Sequence, residues 1–179
     1  MIVAGFDFDK GYVVAKRRAQ EMVDGGLYSR FNLSDEQRIE KAAVGCLGEI
    51  AFAHWLNING IQYEQDLDGF EGRQSDDFDF RIAGKLIDVK VAKLSSSNPP
   101  QDSWRFGVPR NQNPGMKDRL VIGWVDFKKK EVGFYGWIEG GRVAKMLVVE
   151  KNSLTNSPYL TPNHEFRWGD LNKNLLRIV

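Results

Sequence analysis

The sequence predicts an α/β (α+β) domain built around a central β-sheet. Three features indicate this fold class: a capped amphipathic segment that begins at Ser34, a short hairpin around Ala83-Gly84, and two strand-like runs on either side of a lysine turn. The chain has 179 residues, of which 42% are hydrophobic, and this is enough for one domain with its own core. We therefore expect residues 1–179 to form a single domain.

Two helices are expected before the strands. Residues 11–24 predict a short helix that Gly25-Gly26 ends. A second helix should begin at Ser34, because Ser34 and Gln37 form a capping-box pattern, and it should run to about Leu56 before the turn sequence "NING". Its expected buried stripe, at helical spacing, consists of Ile39, Ala43, Cys46, Ile50 and Ala53.

Strand-like runs dominate the second half of the chain. "RLVIGWVDF" from Arg119 and "EVGFYGWIEG" from Glu131 flank the sequence "KKK" and predict a hairpin. Two polar loops that contain prolines precede it, over 94–103 and 108–118. The tail from Asn163 should end in a short helix.

The segment "DDFDFRIAGKLIDVKVAK", residues 76–93, predicts a hairpin with acidic residues on one face. If Ala83-Gly84 is a two-residue turn, strand alternation places carboxylates and a lysine on one side and apolar residues on the other. Opposed residues have Cβ atoms about 4.5–5.5 Å apart, so opposed carboxylates repel unless a cation such as Mg²⁺ neutralises them. The expected pairs are Ile82 with Lys85, Phe80 with Ile87, Asp79 with Asp88, and Asp77 with Lys90.

Glu49 is conspicuous in the second helix. It is the only Asp, Glu, Lys or Arg between Ala42 and Tyr63, and the small Gly45 and Gly48 would let another backbone or a ligand approach it. A lone carboxylate in such a segment needs a partner, because burying an unpaired charge is costly. Two alternatives remain open: Glu49 helps to bind a metal, or it forms a salt bridge with a lysine or arginine.

A helical Gly48-Glu49, an aspartate on a strand and Ile87-Asp88-Val89-Lys90 on the next strand resemble the PD-(D/E)XK nuclease superfamily. That superfamily includes type II restriction endonucleases, Holliday junction resolvases and phage exonucleases. The resemblance covers residues 34–93. The matching positions are Asp88-Val89-Lys90 for the (D/E)-X-K element, Asp79 for the aspartate of the PD element with Asp77 as the alternative, and Phe78 in place of its proline.

This resemblance implies a restriction endonuclease-like fold, with a mixed central β-sheet in αβββαβ order flanked by helices. It also implies a metal-dependent nuclease that acts on DNA. The products would be a 5′-phosphate and a 3′-hydroxyl. It also implies that Mg²⁺ (or Mn²⁺) is bound by Asp79, Asp88, the backbone carbonyl of Val89 and Glu49. Lys90 would orient the attacking water and neutralise developing negative charge.

The charge of the chain is unevenly distributed. Residues 1–90 hold 11 Lys+Arg and 16 Asp+Glu, a net −5, whereas residues 91–179 hold 14 and 8, a net +6. A basic half suits binding to nucleic-acid phosphates, and cutting of both strands would favour a homodimer. The candidate phosphate contacts are Arg105, Arg110, Lys117, Arg119, Lys128, Lys129 and Lys130.

Two alternatives to a nuclease stay open. A non-catalytic nucleic-acid-binding module with a nuclease-like fold would bind without cutting, and a structural domain would use the hairpin charges only as a surface ladder. Two histidines and one cysteine exclude a common zinc site. The single Cys46 is typical of the reducing cytoplasm, and the apolar runs are too short to span a bilayer, so we expect a cytoplasmic protein with no membrane partner.

Overall fold

The computed structural model describes residues 1–26, 33–66, 78–153, 156 and 158–178. The α-helices are α1 (Phe8–Asp24), α2 (Asp35–Ile58) and α3 (Gly140–Val143). The strands are β1 (Glu64–Gln65), β2 (Phe80–Ile82), β3 (Lys85–Lys93), β4 (Arg105–Pro109), β5 (Arg119–Asp126), β6 (Glu131–Glu139), β7 (Val148–Lys151) and β8 (Pro158–Arg167). Short 3₁₀ helices lie at Arg110–Gln112, Pro114–Met116, Trp168–Asp170 and Leu175–Ile178. None of the helices in the described part of the chain is both long and apolar enough to cross a membrane.

The main sheet is mixed and has five strands in the order β1-β2-β3-β5-β6. Its strands pair antiparallel except for β3 and β5, which run parallel. The predicted hairpin of β5 and β6 is confirmed. β5 is buried on both faces, because Leu120 and Ile122 join one hydrophobic cluster and Val121 and Val125 join the other.

A second sheet of three strands, in the order β4-β8-β7, covers one face of the main sheet. Val108 of β4 and Phe166 of β8 pack with Leu120 and Ile122 of β5. On the other face of the main sheet, α1 and α2 pack through a cluster that includes Phe52. The main sheet is thus the middle of three layers, between a pair of helices and a small antiparallel sheet.

The start of α2 is the one that the sequence predicts. The Gln37 N–H donates to Ser34 Oγ and the Ser34 N–H donates to Gln37 Oε1, which completes the capping box. The helix runs two residues past Leu56, and α1 begins at Phe8, three residues before the predicted start. Of the predicted stripe, Ala43 and Cys46 are buried, whereas Ile39, Ile50 and Ala53 are half-buried.

After β3, the described residues do not follow the expected αβββαβ order. In place of a helix, residues 94–118 contain β4 and two 3₁₀ helices. Pro99-Pro100, Pro109 and Pro114 explain this difference, since proline lacks an N–H and blocks a continuing α-helix. The predicted short helix at the end of the chain is present as the 3₁₀ helix Leu175–Ile178.

Candidate active site

The turn between β2 and β3 has the geometry on which the site prediction depends. Ala83 has φ +47° and Gly84 has φ +77°, so both central residues are left-handed, as in the type I′ turns that join two-residue hairpins. The register confirms the predicted pairs of Ile82 with Lys85 and of Phe80 with Ile87. β2 begins at Phe80, and Asp88 is therefore the first residue of β3 beyond the paired part of the hairpin.

Asp79 does not stand opposite Asp88 as the sequence predicts. Its N–H donates to the Ile87 carbonyl at 3.0 Å, although Ile87 already pairs with Phe80. Two consecutive residues thus face one residue of β3, which is the arrangement of a β-bulge. A bulge redirects a side chain, and the Asp79 carboxylate consequently lies against β3, where its Oδ2 accepts the Val89 N–H at 2.6 Å. The alternative aspartate, Asp77, lies outside the described residues.

The Val89 backbone faces the same place. In a β-strand the N–H and C=O of one residue point to the same edge, since paired residues exchange both bonds. The Val89 N–H is directed at Asp79, so the Val89 carbonyl is directed at the same edge of β3, beside the Asp79 carboxylate. This placement is compatible with the ligand role that the resemblance implies for that carbonyl.

Asp88 and Lys90 form an ion pair along β3. The Lys90 Nζ lies 2.8 Å from Asp88 Oδ2, and the two side chains are 26% and 11% exposed. Residues two apart on a strand share a face, which explains why these side chains meet. Burial by itself would lower the pKa of Lys90, but the charges of Asp88 and Asp79 outweigh burial and raise it, so Lys90 remains an ammonium.

The surroundings of Asp79 disfavour its charged form. Burial, followed by the charges of Glu49 and Asp88, raises the pKa of Asp79 well above its usual range, against the lowering effects of Lys90 and of the Val89 N–H. The hairpin and α2 therefore gather more negative charge than Lys90 balances. A cation at this place would relieve the repulsion.

Glu49 reaches the site because α2 crosses β3 closely. A Cβ atom at Gly48 would lie 2.6 Å from both methyl carbons of Val91, so only glycine allows this approach without displacing a neighbour. Glu49 follows directly in the helix. Its charge is one of the causes that raise the pKa values of Asp79 and Lys90, which places it in the electrostatic environment of the hairpin residues.

Arg18 of α1 also joins the site. Its Nη2 lies 3.5 Å from Glu49 Oε2, and the side chains are 27% and 21% exposed. The salt-bridge alternative for Glu49 is thus confirmed, and its role as a metal ligand stays a prediction. The sequence could have indicated this position, because Arg18 is next to Ala19, which lies in the buried stripe of α1.

The seven basic candidates do not form one surface. Lys117 precedes β5 and Arg119 is its first residue, whereas Lys128–Lys130 follow it. The two groups are therefore about 25 Å apart, the length of a strand of eight residues. Lys117 is 8% exposed, and this burial argues against a phosphate contact from its side chain. The Arg119 guanidinium lies 4.3 Å from the centre of the Trp137 ring and pairs with Glu139.

The remaining basic candidates differ from one another. Lys130 pairs with Asp9 at 2.7 Å, and Arg110 is exposed on a 3₁₀ helix. Arg105 pairs with Glu165 at 2.9 Å and lines a cavity that also contacts Ala92 of β3. Arg105 is therefore the candidate that shares a cavity with a residue of β3, Ala92.

The donor set fits a hard divalent cation. Among the described residues, no three Asp, Glu, His or Cys side chains converge into a complete metal-binding group. Mg²⁺, however, usually takes only one or two protein carboxylates and completes its shell with waters and substrate phosphates. Asp79 and Asp88 with the Val89 carbonyl supply oxygen donors of this kind.

Comparisons of the chain with protein-family models, with curated proteins and with solved structures give no match.

Proposed function

We propose that this protein is a metal-dependent nuclease that hydrolyses phosphodiester bonds in DNA, built on a restriction endonuclease-like fold. The observation that carries the proposal is the Asp88–Lys90 ion pair, in which Lys90 is kept charged, beside a half-buried Asp79 whose ionisation is disfavoured. Perturbed titratable groups of opposite kinds are typical of catalytic sites. The mixed sheet and the flanking helices are compatible with this fold class.

Asp79, Asp88, the Val89 carbonyl and Glu49 would hold Mg²⁺ or Mn²⁺. When bound, such an ion lowers the pKa of a water and stabilises negative charge on the scissile phosphate. Glu49 would bind the ion directly or through a water, and its carboxylate also pairs with Arg18. Because all of these donors are oxygens, the site suits Mg²⁺ or Mn²⁺ better than a metal that prefers thiolates.

Lys90 would act on the reacting atoms. Its ammonium would orient the attacking water and neutralise charge that develops on the phosphate. Asp88 fixes the position of that ammonium through the 2.8 Å ion pair. The water oxygen would attack phosphorus, the bond from phosphorus to the 3′ oxygen would break, and the 3′ oxygen would leave as a hydroxyl after taking a proton.

The test is cleavage of labelled linear, supercoiled and four-way-junction DNA with Mg²⁺, with Mn²⁺ and with EDTA. We expect metal-dependent cutting by the wild type and a loss of at least about 100-fold in Lys90→Ala, the size typical of removing one preorganised donor. Lys93→Ala is the matched control. It removes the same charge from the same strand, but Lys93 is exposed and lies over the Phe127 ring.

The outcomes separate the candidate functions. Cutting by the wild type and Lys93→Ala but not by Lys90→Ala supports the nuclease. A protein that binds DNA and cuts none of the substrates under any metal condition is a non-catalytic binding module. A protein that does neither is a structural domain. Gel filtration of the active species tests whether cutting of both strands uses a homodimer.

A further inference from the structure

A cavity of about 270 Å³ opens beside β3, next to the candidate active site. Four elements contribute to it: α2, β3, β4 and β8. Its walls include Lys41, Ala92, Arg105, Phe106, Tyr159 and Asn163. The helix layer, the main sheet and the second sheet therefore all supply residues to it.

The cavity extends the candidate site along one edge of β3. Ala92 lies two residues beyond Lys90 on the same face, about 7 Å along the strand. Lys41 lies on the helix that carries Glu49, about 12 Å before it. Among the described residues, β2 pairs with β3 only as far as Ile87, so no described strand occupies this edge beyond that point.

The walls of the cavity combine aromatic rings with cations. Phe106 and Tyr159 are the aromatic residues of its lining, and Arg105, which also pairs with Glu165, and Lys41 are the cationic ones. Aromatic side chains bind nucleobases by stacking, while arginine and lysine bind the phosphates on either side.

Asn163 gives the cavity a polar group in its wall. It is 3% exposed, and among the described residues no hydrogen-bond partner of its Oδ1 is found. The Oδ1 atom is itself buried, and the Nδ2 atom donates to the Thr161 carbonyl at 3.4 Å. An asparagine amide offers a donor and an acceptor together, which matches the edge of a base.

We propose that this cavity binds a single unstacked nucleobase of the strand held in the active site, within one or two nucleotides of the scissile phosphate. The inference rests on the proposed nuclease function and adds a subsite to it. The volume favours one base over a larger ligand, because typical ligand pockets measure about 300–1,000 Å³. An unstacked base implies that the protein prefers single-stranded, distorted or damaged positions, where unstacking costs least.

Two variants test the cavity from opposite directions. Tyr159→Ala removes one ring. Gly107→Val fills the space, since a Cβ at Gly107 would lie 3.4 Å from the Asn163 Cβ and 3.6 Å from the Tyr159 hydroxyl, which are ordinary contacts. Gly141→Val is the matched control, because a Cβ there meets nothing within 4 Å.

Binding is measured by fluorescence anisotropy with labelled 12-mer DNA, single-stranded and annealed, with Ca²⁺ in place of Mg²⁺. A series of 12-mers carries one abasic site at successive positions. We expect Tyr159→Ala and Gly107→Val to weaken binding roughly 5- to 100-fold, the fold-change that corresponds to one base–aromatic stack. One abasic position should weaken wild-type binding similarly and should not weaken Tyr159→Ala further.

The outcomes distinguish this inference from the nuclease proposal. If both variants remain folded by circular dichroism and bind every 12-mer as the wild type does, the cavity holds no base, and the cleavage assay decides the nuclease proposal separately. Position-specific loss without any cutting would support the subsite and reject the nuclease. Absence of binding to any DNA would overturn both.

Discussion

The Lys90 ammonium lies 2.8 Å from the Asp88 carboxylate, and both side chains are largely buried. This pair balances one carboxylate of the candidate site. Asp79 accepts the Val89 N–H but stays close to Glu49 and Asp88, and burial with these two charges raises its pKa. The hairpin thus supplies one balanced carboxylate, Asp88, and one unbalanced carboxylate, Asp79, and each predicts a different response to mutation.

Asp79→Asn should stabilise the metal-free protein. The pKa of Asp79 is higher in the folded state than its unfolded value near ~3.9, so the folded protein binds more protons between these values. The contribution of Asp79 to the stability of the wild type is therefore complete at low pH, and it is lost as the pH rises through the pKa of Asp79 in the folded state. Asparagine cannot ionise and can still accept the Val89 N–H. We expect its Tm in EDTA to exceed that of the wild type by roughly 2–4 °C at pH 8, and by less at pH 5.

Asp88→Asn is the control for this experiment and should act in the opposite direction. It removes the carboxylate that forms the 2.8 Å ion pair with the largely buried Lys90 ammonium. Its Tm in EDTA should fall below that of the wild type. Equal and pH-independent Tm changes in the two variants would contradict the electrostatic description of the site.

Mn²⁺ should stabilise the wild type by mass action. A ligand that binds only the folded state at 100 times its Kd contributes about 2.7 kcal/mol, which corresponds to a Tm rise of roughly 5–10 °C for a domain of this size. Asp79→Asn and Asp88→Asn should abolish most of this rise. Thermal unfolding with increasing MnCl₂, against NaCl of equal ionic strength, measures it. An unchanged wild-type Tm at millimolar Mn²⁺ would remove the metal site from the proposal.

The hairpin could be predicted from sequence because its turn and its alternation are local properties. Ala83-Gly84 fixed the register of Phe80 with Ile87, and the side chains then followed by parity. The bulge at Asp79 could not be predicted in this way. It depends on a hydrogen bond to Ile87 and on a carboxylate contact with Val89, which become visible only when both strands are in place.

The second sheet and the exposure of the basic residues were harder to predict from the sequence, for a physical reason. β4 and β8 are distant in sequence, and their pairing buries His164 and Asn163 together with apolar residues, so the alternation is weak. Charge alone does not tell whether a lysine is exposed, and Lys117 is buried. The cavity beside β3 draws on four separate segments, and no local pattern could have indicated it.

Arg18→Ala should strengthen divalent metal binding. Arg18 competes with a bound cation for Glu49, since its Nη2 lies 3.5 Å from Glu49 Oε2. Removing that positive charge should lower the Kd for Mn²⁺ roughly two- to fivefold, the range of a partly exposed ion pair. Glu49→Gln should raise the Kd instead. Mn²⁺ titration followed by electron paramagnetic resonance measures both changes.

Arg17→Ala is the matched control for Arg18. Arg17 is the neighbouring residue in α1, and its own contact is with Glu21 at 3.9 Å on the exposed side. Its loss should leave the Kd for Mn²⁺ unchanged. If Arg17→Ala and Arg18→Ala have the same effect, the change reflects overall charge rather than the pairing of Arg18 with Glu49.

Gly48→Ala should destabilise the protein and misplace Glu49, because the new Cβ would come within 2.6 Å of the Val91 side chain. Overpacking of this kind costs about 1–3 kcal/mol, or a Tm decrease of roughly 2–4 °C per kcal/mol. Gly45→Ala, one turn earlier in the same helix, meets nothing within 4 Å and should instead stabilise the protein by about 0.5–1 kcal/mol, the ordinary gain of alanine over glycine.

Combining Gly48→Ala with Val91→Ala makes room for the added methyl group. The double variant should therefore regain metal-dependent cutting relative to Gly48→Ala alone. If Gly48→Ala is instead as stable and active as the wild type, α2 does not position Glu49 through this contact.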